Sequence, residues 1–230
     1  LLSFKFEIQY LYLLLFLMPL VISFVSTPLV RNIALKLKLV SHPKEGRWHK
    51  QPIALLGGIA IYVAFIVTFF TFKVHFAKTY LFLLASLVIF VWGIVDDIYN
   101  IKPHSKLIGQ IIVASMMVDS GIIIELVKSP LIAIPLTILW IVLITNSFNL
   151  LDNMDGLSCG IAFISSATIA ACSFILKNYE VGSISLIIAG ATLGFMPYNF
   201  NPAKIFMGDC GSMFLGFSLA SLTISGTWRH

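Results

Sequence analysis

Long apolar, nearly charge-free runs separated by short polar stretches dominate this chain. That pattern predicts membrane spans, because a bilayer needs roughly 20 consecutive apolar residues per helix. Eight runs stand out, at about Ile8–Val30, Ile53–Phe72, Tyr80–Val95, Lys106–Val118, Leu131–Thr145, Leu157–Leu176, Val181–Met196 and Ser212–Thr227. Pro19 and Pro28 are expected to kink or end the first run, and Gly57-Gly58 opens the second. Asp119–Pro130, which contains GIIIELV, reads as a short strand or hairpin on the far side, or as the end of a span. Four polar loops follow the odd-numbered runs: loop A (Arg31–Pro52), loop B (Asp96–Ser105), loop C (Asn146–Gly156) and loop D (Pro197–Gly211). An even number of crossings separates each from the next, so all four are expected on one side. The expected fold is an all-α polytopic membrane helix bundle, with about eight transmembrane helices and its catalytic loops in the cytoplasm. It forms one domain over residues 1–230.

Composition supports the membrane class. The chain is 59% hydrophobic and 11% charged, with mean hydropathy +0.98, where a soluble domain carries about 25% charged residues. The net charge of +5 calls for no nucleic acid. Arg31, Lys36, Lys38, Lys44, Arg47 and Lys50 all lie in loop A, as expected of a cytoplasmic anchor beside anionic lipid. Cys159, Cys172 and Cys210 form no CxxC and read as small buried residues, not a disulfide or zinc framework. The first run lacks a small-residue cleavage site and is followed by basic loop A, so it reads as a retained span. The start at Leu1 and the stop at His230, just after an apolar run, are those expected of a chain cut at both ends.

Carboxylates at span ends supply the candidate chemistry. NSFNLLDNMDGLSCG (Asn146–Gly160) joins two apolar runs and carries Asn146, Asn149, Asp152 and Asp155, with Gly156 allowing close backbone approach. Asp152 and Asp155 would share one helix face if the sixth helix began there; helix capping is the alternative. Asp96-Asp97 closes the third run, with Lys102 and Lys106 nearby. Adjacent acids repel and invite a cation, while a solvated helix end is the plainer explanation. Asp209 sits between Gly208 and Gly211 where a helix starts, which suits a hard cation beside a phosphate, or an ordinary cap. Phe206, at the mouth of that loop, could stack on a base or anchor at the interface. Histidines 42, 49, 75, 104 and 230 lack metal-ligand spacing, and no GxSxG, Walker A, GxGxxG or HExxH is present. Five aspartates in three loops on one face suit Mg²⁺, which takes one or two carboxylates plus phosphate oxygens. That combination points to phosphoryl transfer at a membrane surface.

Four segments in order carry a family resemblance: RWHKQPIALLGG (Arg47–Gly58), VDDIYNIKPHSKLIGQ (Val95–Gln110), NSFNLLDNMDGL (Asn146–Leu157) and NFNPAKIFMGDCGS (Asn199–Ser212). With them the chain resembles the polyprenyl-phosphate N-acetylhexosamine-1-phosphate transferases of glycosyltransferase family 4. That family includes undecaprenyl-phosphate GlcNAc-1-phosphate transferases and phospho-MurNAc-pentapeptide translocases. The resemblance implies transfer of a sugar-1-phosphate from a UDP-N-acetylhexosamine to polyprenyl (undecaprenyl) phosphate, releasing UMP. It also implies dependence on Mg²⁺ or Mn²⁺ and a multi-pass place in a bacterial plasma membrane with a cytoplasmic site, and it leaves room for a homodimer.

Residue by residue, Asp209 matches the family's metal-binding aspartate, with Asp152 as a second candidate ligand. Phe206 matches the aromatic that stacks on uracil. Asp96 matches the proposed base for the lipid phosphate, and Asp97 its catalytic neighbour. Asn149, Asp152 and Asp155 match polar residues around the nucleotide sugar, Lys106 a lysine of the phosphate region, and Lys50, loosely, a loop A lysine near the nucleotide. Asn153 replaces a common Gly, and Ala54-Leu55 replaces a Pro and a basic residue. The family's later HxHH loop and last two or three spans have no counterpart, so the resemblance implies a C-terminally truncated chain lacking part of the donor site. The PI…LGG form of loop A and the short loop C favour the GlcNAc-1-phosphate branch over the pentapeptide branch. An ion-coupled transporter is the competing class; it predicts acids buried mid-span or inverted repeats. A non-catalytic remnant is a third reading.

Overall fold

Lipid offers the backbone no hydrogen-bond partners, so each apolar run closes its own bonds as a helix. A computed structural model describes residues 2–41, 52–74 and 79–227. Its elements are α1 (Leu2–Lys36), β1 (Val40–Ser41), β2 (Ile53–Ala54), α2 (Gly58–Thr71), α3 (Thr79–Tyr99), α4 (Pro103–Asp119), α5 (Pro130–Leu151), α6 (Leu157–Ile175), α7 (Tyr179–Asn199) and α8 (Gly208–Thr227). The all-α polytopic bundle is as expected. Five helices (α1, α3, α5, α6 and α7) are long and apolar enough on their own to cross a membrane. By contrast, α2 has 14 residues and α4 has 17.

Helix ends differ from the expected loops. Asp96 and Asp97 lie in the last turns of α3, Asn146 and Asn149 in those of α5, and Pro197 in that of α7. Helices leave the apolar layer still hydrogen-bonded, so hydropathy alone places their ends too early. α1 continues through both Pro19 and Pro28. After α4 the chain turns at Ser120-Gly121, with Gly121 at φ 77, and forms no strand over 120–129. There Ile124 N–H donates to Thr137 Oγ1 on α5 (3.0 Å).

Helices α7 and α8 form the centre. α8 is buried along almost its whole length and packs on α3 and α5 most extensively, then on α6, α2 and α7. Small residues make this possible. A Cβ on Gly194 would lie 2.2 Å from the Leu20 carbonyl oxygen, and one on Gly190 2.1 Å from that of Phe16, so α1 and α7 touch backbone to backbone. Likewise a Cβ on Gly58 would meet Gly211 Cα at 2.3 Å, and one on Gly93 would meet Cys210 Cα at 2.4 Å. Two neighbouring helices thus clasp the first turn of α8.

The ends of loop A are tied to loop D. β1 and β2 pair antiparallel, with Val40 opposite Ala54. Phe206 N–H donates to the Ala54 carbonyl (2.8 Å), Gly57 N–H to that of Phe206 (2.9 Å) and Gly58 N–H to that of Met207 (2.7 Å). Arg31 Nε donates to the Lys204 carbonyl (3.0 Å).

Candidate active site

Three of the sequence-predicted aspartates meet at the N-terminus of α8, a point where unpaired backbone N–H groups favour negative charge. Asp97, from the end of α3, accepts from Asp209 N–H (2.8 Å) and Cys210 N–H (3.1 Å), one on each carboxylate oxygen. Asp152, the residue just after α5, accepts from Gly208 N–H (3.1 Å). Gly208 has φ +78, and a Cβ there would lie 2.7 Å from Asp97 Oδ2. Only glycine lets the chain turn into α8 with Asp97 so close. Asp209 lies in that first turn. Its Oδ1 accepts from Asn149 Nδ2 (2.7 Å), which also reaches Ser212 Oγ (3.2 Å).

Lys106 supplies the positive charge. Its ammonium bridges Asp209 and Asp96. Asp96 is 3% exposed, and its other oxygen accepts from Ile101 N–H (2.9 Å) at the turn into α4. The site therefore holds four carboxylates against one lysine among the described residues named here. Burial is the main cause that raises the Asp152 pKa well above the ordinary carboxylate value. The nearby Asp97 and Asp209 charges raise it further, and the Gly208 N–H partly offsets them.

One expectation needs correction. α6 begins at Leu157, so Asp152 and Asp155 do not share a helix face; both lie in the α5–α6 turn. Asp155 points to loop D instead, accepting from Asn201 Nδ2 (3.2 Å) and Ala203 N–H (3.0 Å). Phe206 is half-buried, its backbone fixed by the strand-like pairing to loop A. Lys50, His42, His49 and His75 lie outside the described residues. Asn146 pairs with Gln110. Sequence reasoning missed Gln110 and Ser212 as parts of this arrangement. An amide at the end of the SKLIGQ stretch was the available signal for Gln110, since a polar side chain in an apolar helix needs a partner.

The donor set is hard oxygen. Among the described residues, no group of three or more His, Cys, Asp or Glu side chains is placed to hold a metal ion. The carboxylates therefore build no closed cage. They fit an ion that takes one or two protein carboxylates and completes its shell with water and phosphate, as Mg²⁺ does.

Comparison with known proteins gives the same direction. The profile of "Glycosyl transferase family 4" matches residues 79–227. The chain is 35% identical over 224 residues to a "Probable undecaprenyl-phosphate N-acetylglucosaminyl 1-phosphate transferase" of Bacillus subtilis (strain 168), covering 93% of this chain and 63% of the relative. It is 33% identical over 229 residues to a "Decaprenyl-phosphate N-acetylglucosaminephosphotransferase" of Mycobacterium leprae (strain TN), covering 87% and 58%. A "Phospho-N-acetylmuramoyl-pentapeptide-transferase" of Staphylococcus carnosus (strain TM300) is 29% identical over 235 residues, covering 91% and 73%. The chain spans about three fifths of the length of the first two relatives.

Proposed function

The chain belongs to glycosyl transferase family 4, and from that membership and the geometry at the α8 N-terminus we propose that it takes part in sugar-1-phosphate transfer from a UDP-N-acetylhexosamine to polyprenyl phosphate, on the cytoplasmic face of a bacterial plasma membrane. In this reaction an oxygen of the lipid phosphate bonds to the sugar-bearing phosphorus. The bond from that phosphorus to the UMP oxygen breaks, and UMP leaves. The observation that carries the proposal is the meeting of Asp97, Asp152, Asp209, Asn149 and Lys106, from four helices and a turn, around one helix N-terminus. GlcNAc-1-phosphate is the donor group best supported, because the relatives named for it share more identity than the pentapeptide-transferase relative.

The part proposed for each residue combines its contacts, where described, with the family resemblance. Lys106 would offset charge on the incoming phosphates, and Asn149 would hold Asp209 in one orientation. Asp209 and Asp152 would hold a divalent ion, which when bound stabilises phosphate charge. Asp96 is the candidate proton acceptor for the lipid phosphate, with its charge balanced by Lys106 beside it. Phe206, at the rim, remains the candidate platform for uracil, and Lys50 a candidate nucleotide contact. Asp155, bound to Asn201 and Ala203, would act by shaping loop D.

The test is exchange of labelled UMP into UDP-GlcNAc by the full-length protein with added polyprenyl phosphate. Exchange is expected with Mg²⁺ or Mn²⁺, and Asp209→Ala should lower it by about 10²-fold or more. Undiminished exchange in Asp209→Ala, or in the presence of EDTA, contradicts the proposal.

A further inference from the structure

Gln110 and Asn146 form a reciprocal amide pair inside the bundle. Asn146 Nδ2 donates to Gln110 Oε1 (2.7 Å), and Gln110 Nε2 donates to Asn146 Oδ1 (3.2 Å). Gln110 is 1% exposed. Asn146 Nδ2 also donates to the Val142 carbonyl (2.9 Å), which fixes its side chain on α5. Two facing amides exchange two hydrogen bonds only at one mutual register.

The sequence positions give that register its meaning. Gln110 lies one turn after Lys106 on α4, and Asn146 lies one turn before Asn149 on α5, so each pair shares a helix face. Lys106 and Asn149 then meet the two oxygens of a single carboxylate, that of Asp209 on α8. A ring of contacts results: α4 to α5 through the amides, α5 to α8 through Asn149, and α4 to α8 through Lys106. Among the described residues, α4 is a short helix whose substantial helix contacts are with α3 and α5. Apolar packing of Val113, Ala114 and Met117 holds α4 against the bundle, and the amide pair adds the directional contact that sets its register on α5.

We propose that Gln110 and Asn146 are positioning residues: their amide pair locks the register of α4 on α5 and so delivers Lys106 and Asn149 together to Asp209. The lock itself follows from geometry; its bearing on turnover rests on the proposed transfer reaction. Gln110→Leu leaves Asn146 Oδ1 without its donor while Nδ2 keeps the Val142 carbonyl, and Asn146→Leu strips the buried Gln110 amide of both bonds of the pair, so either change removes the contact that sets the register of α4. A displacement near 1 Å at such a site costs about 10²-fold in rate.

The experiment uses the full-length protein in detergent with Gln110→Leu, the unbranched Gln110→Met, Asn146→Leu, and the exchanged double variant Gln110→Asn/Asn146→Gln. The first readout is the rate of reductive methylation of Lys106 relative to Lys102, by mass spectrometry, which needs no activity. The apolar variants are expected to raise the Lys106 rate several-fold, and the double variant to return it toward the parent. The second readout is UMP exchange, where kcat should fall by about 10²-fold with a smaller change in KM. Folded apolar variants with Lys106 as protected as in the parent overturn the proposal, as does an unprotected Lys106 in the folded double variant. If the parent shows no UMP exchange, the transfer reading fails, and the methylation ratios still decide the lock. Gln110→Met keeps the test decisive if a leucine variant does not fold.

Discussion

Asp97 spreads its charge over the backbone of another helix, and this separates two roles that are easily confused. Both of its oxygens accept N–H groups of α8. Asparagine could accept with only one oxygen and would present an N–H₂ to the other donor. Asp97→Asn should therefore lower stability by about 1–2 kcal/mol, as loss of a charged cap does, seen as a lower Tm in detergent, together with lower UMP exchange. Unchanged Tm with lost exchange would make Asp97 a reacting group only. At this scale the sequence was informative about which side chains gather at the start of α8. Asp96, Asp97, Asn149, Asp152 and Asp209 were all legible, because charge and amide groups beside apolar runs have few inexpensive explanations. Their partners were less legible. Nothing in the linear pattern says that Asp155 turns to Asn201 while Asp152 turns to Gly208, since both partners come from distant loop D and the start of α8.

Among elements, close approach decides what each helix can do. α1 and α7 meet at Gly190 and Gly194, whereas a Cβ on Gly160 in α6 would have nothing within 4 Å. Gly194→Ala must push α1 away and should cost about 1–3 kcal/mol, while Gly160→Ala should be neutral or slightly stabilising through helix propensity. Thermal unfolding of the two variants side by side checks this; equal Tm values would contradict the backbone contact. Helix number and order were readable from hydropathy because each run must satisfy its own hydrogen bonds in lipid. Helix ends were not, since α3 and α5 carry their polar residues within the last turns and not in loops. The tie between β2 and Phe206 was also invisible, because it is made by backbone groups that any residue supplies.

For the whole molecule, gathering acids at one end leads us to expect a dependence on pH and, on the proposed reading, on a divalent ion. The raised proton affinity of Asp152 has a definite sign. Between its unfolded value, about 3.9, and its higher folded value, the folded state holds more protons than the unfolded one. Metal-free stability should therefore fall as pH rises through that window. Binding a divalent ion must displace the proton, so affinity for Mn²⁺ should weaken as pH falls, with proton release measurable by calorimetry in buffers of different ionisation enthalpy. Affinity independent of pH would remove Asp152 from the ligand set. Orientation is tested separately. With Cys172→Ser as background, cysteines at exposed Asn153 and Glu125, beyond opposite ends of α5, should react with an impermeant maleimide from opposite sides of the membrane, Asn153 from the cytoplasm. Labelling of both from one side would rule out a spanning α5.

The burial of α8 also bears on biogenesis. It is the last described helix to leave the ribosome, yet it has the deepest seat. The seat between α2, α3 and α5 is therefore completed only once α8 has been made. Until then Lys106 can pair with Asp96 but not with Asp209, so the charges described at this site come together only after α8 is in place.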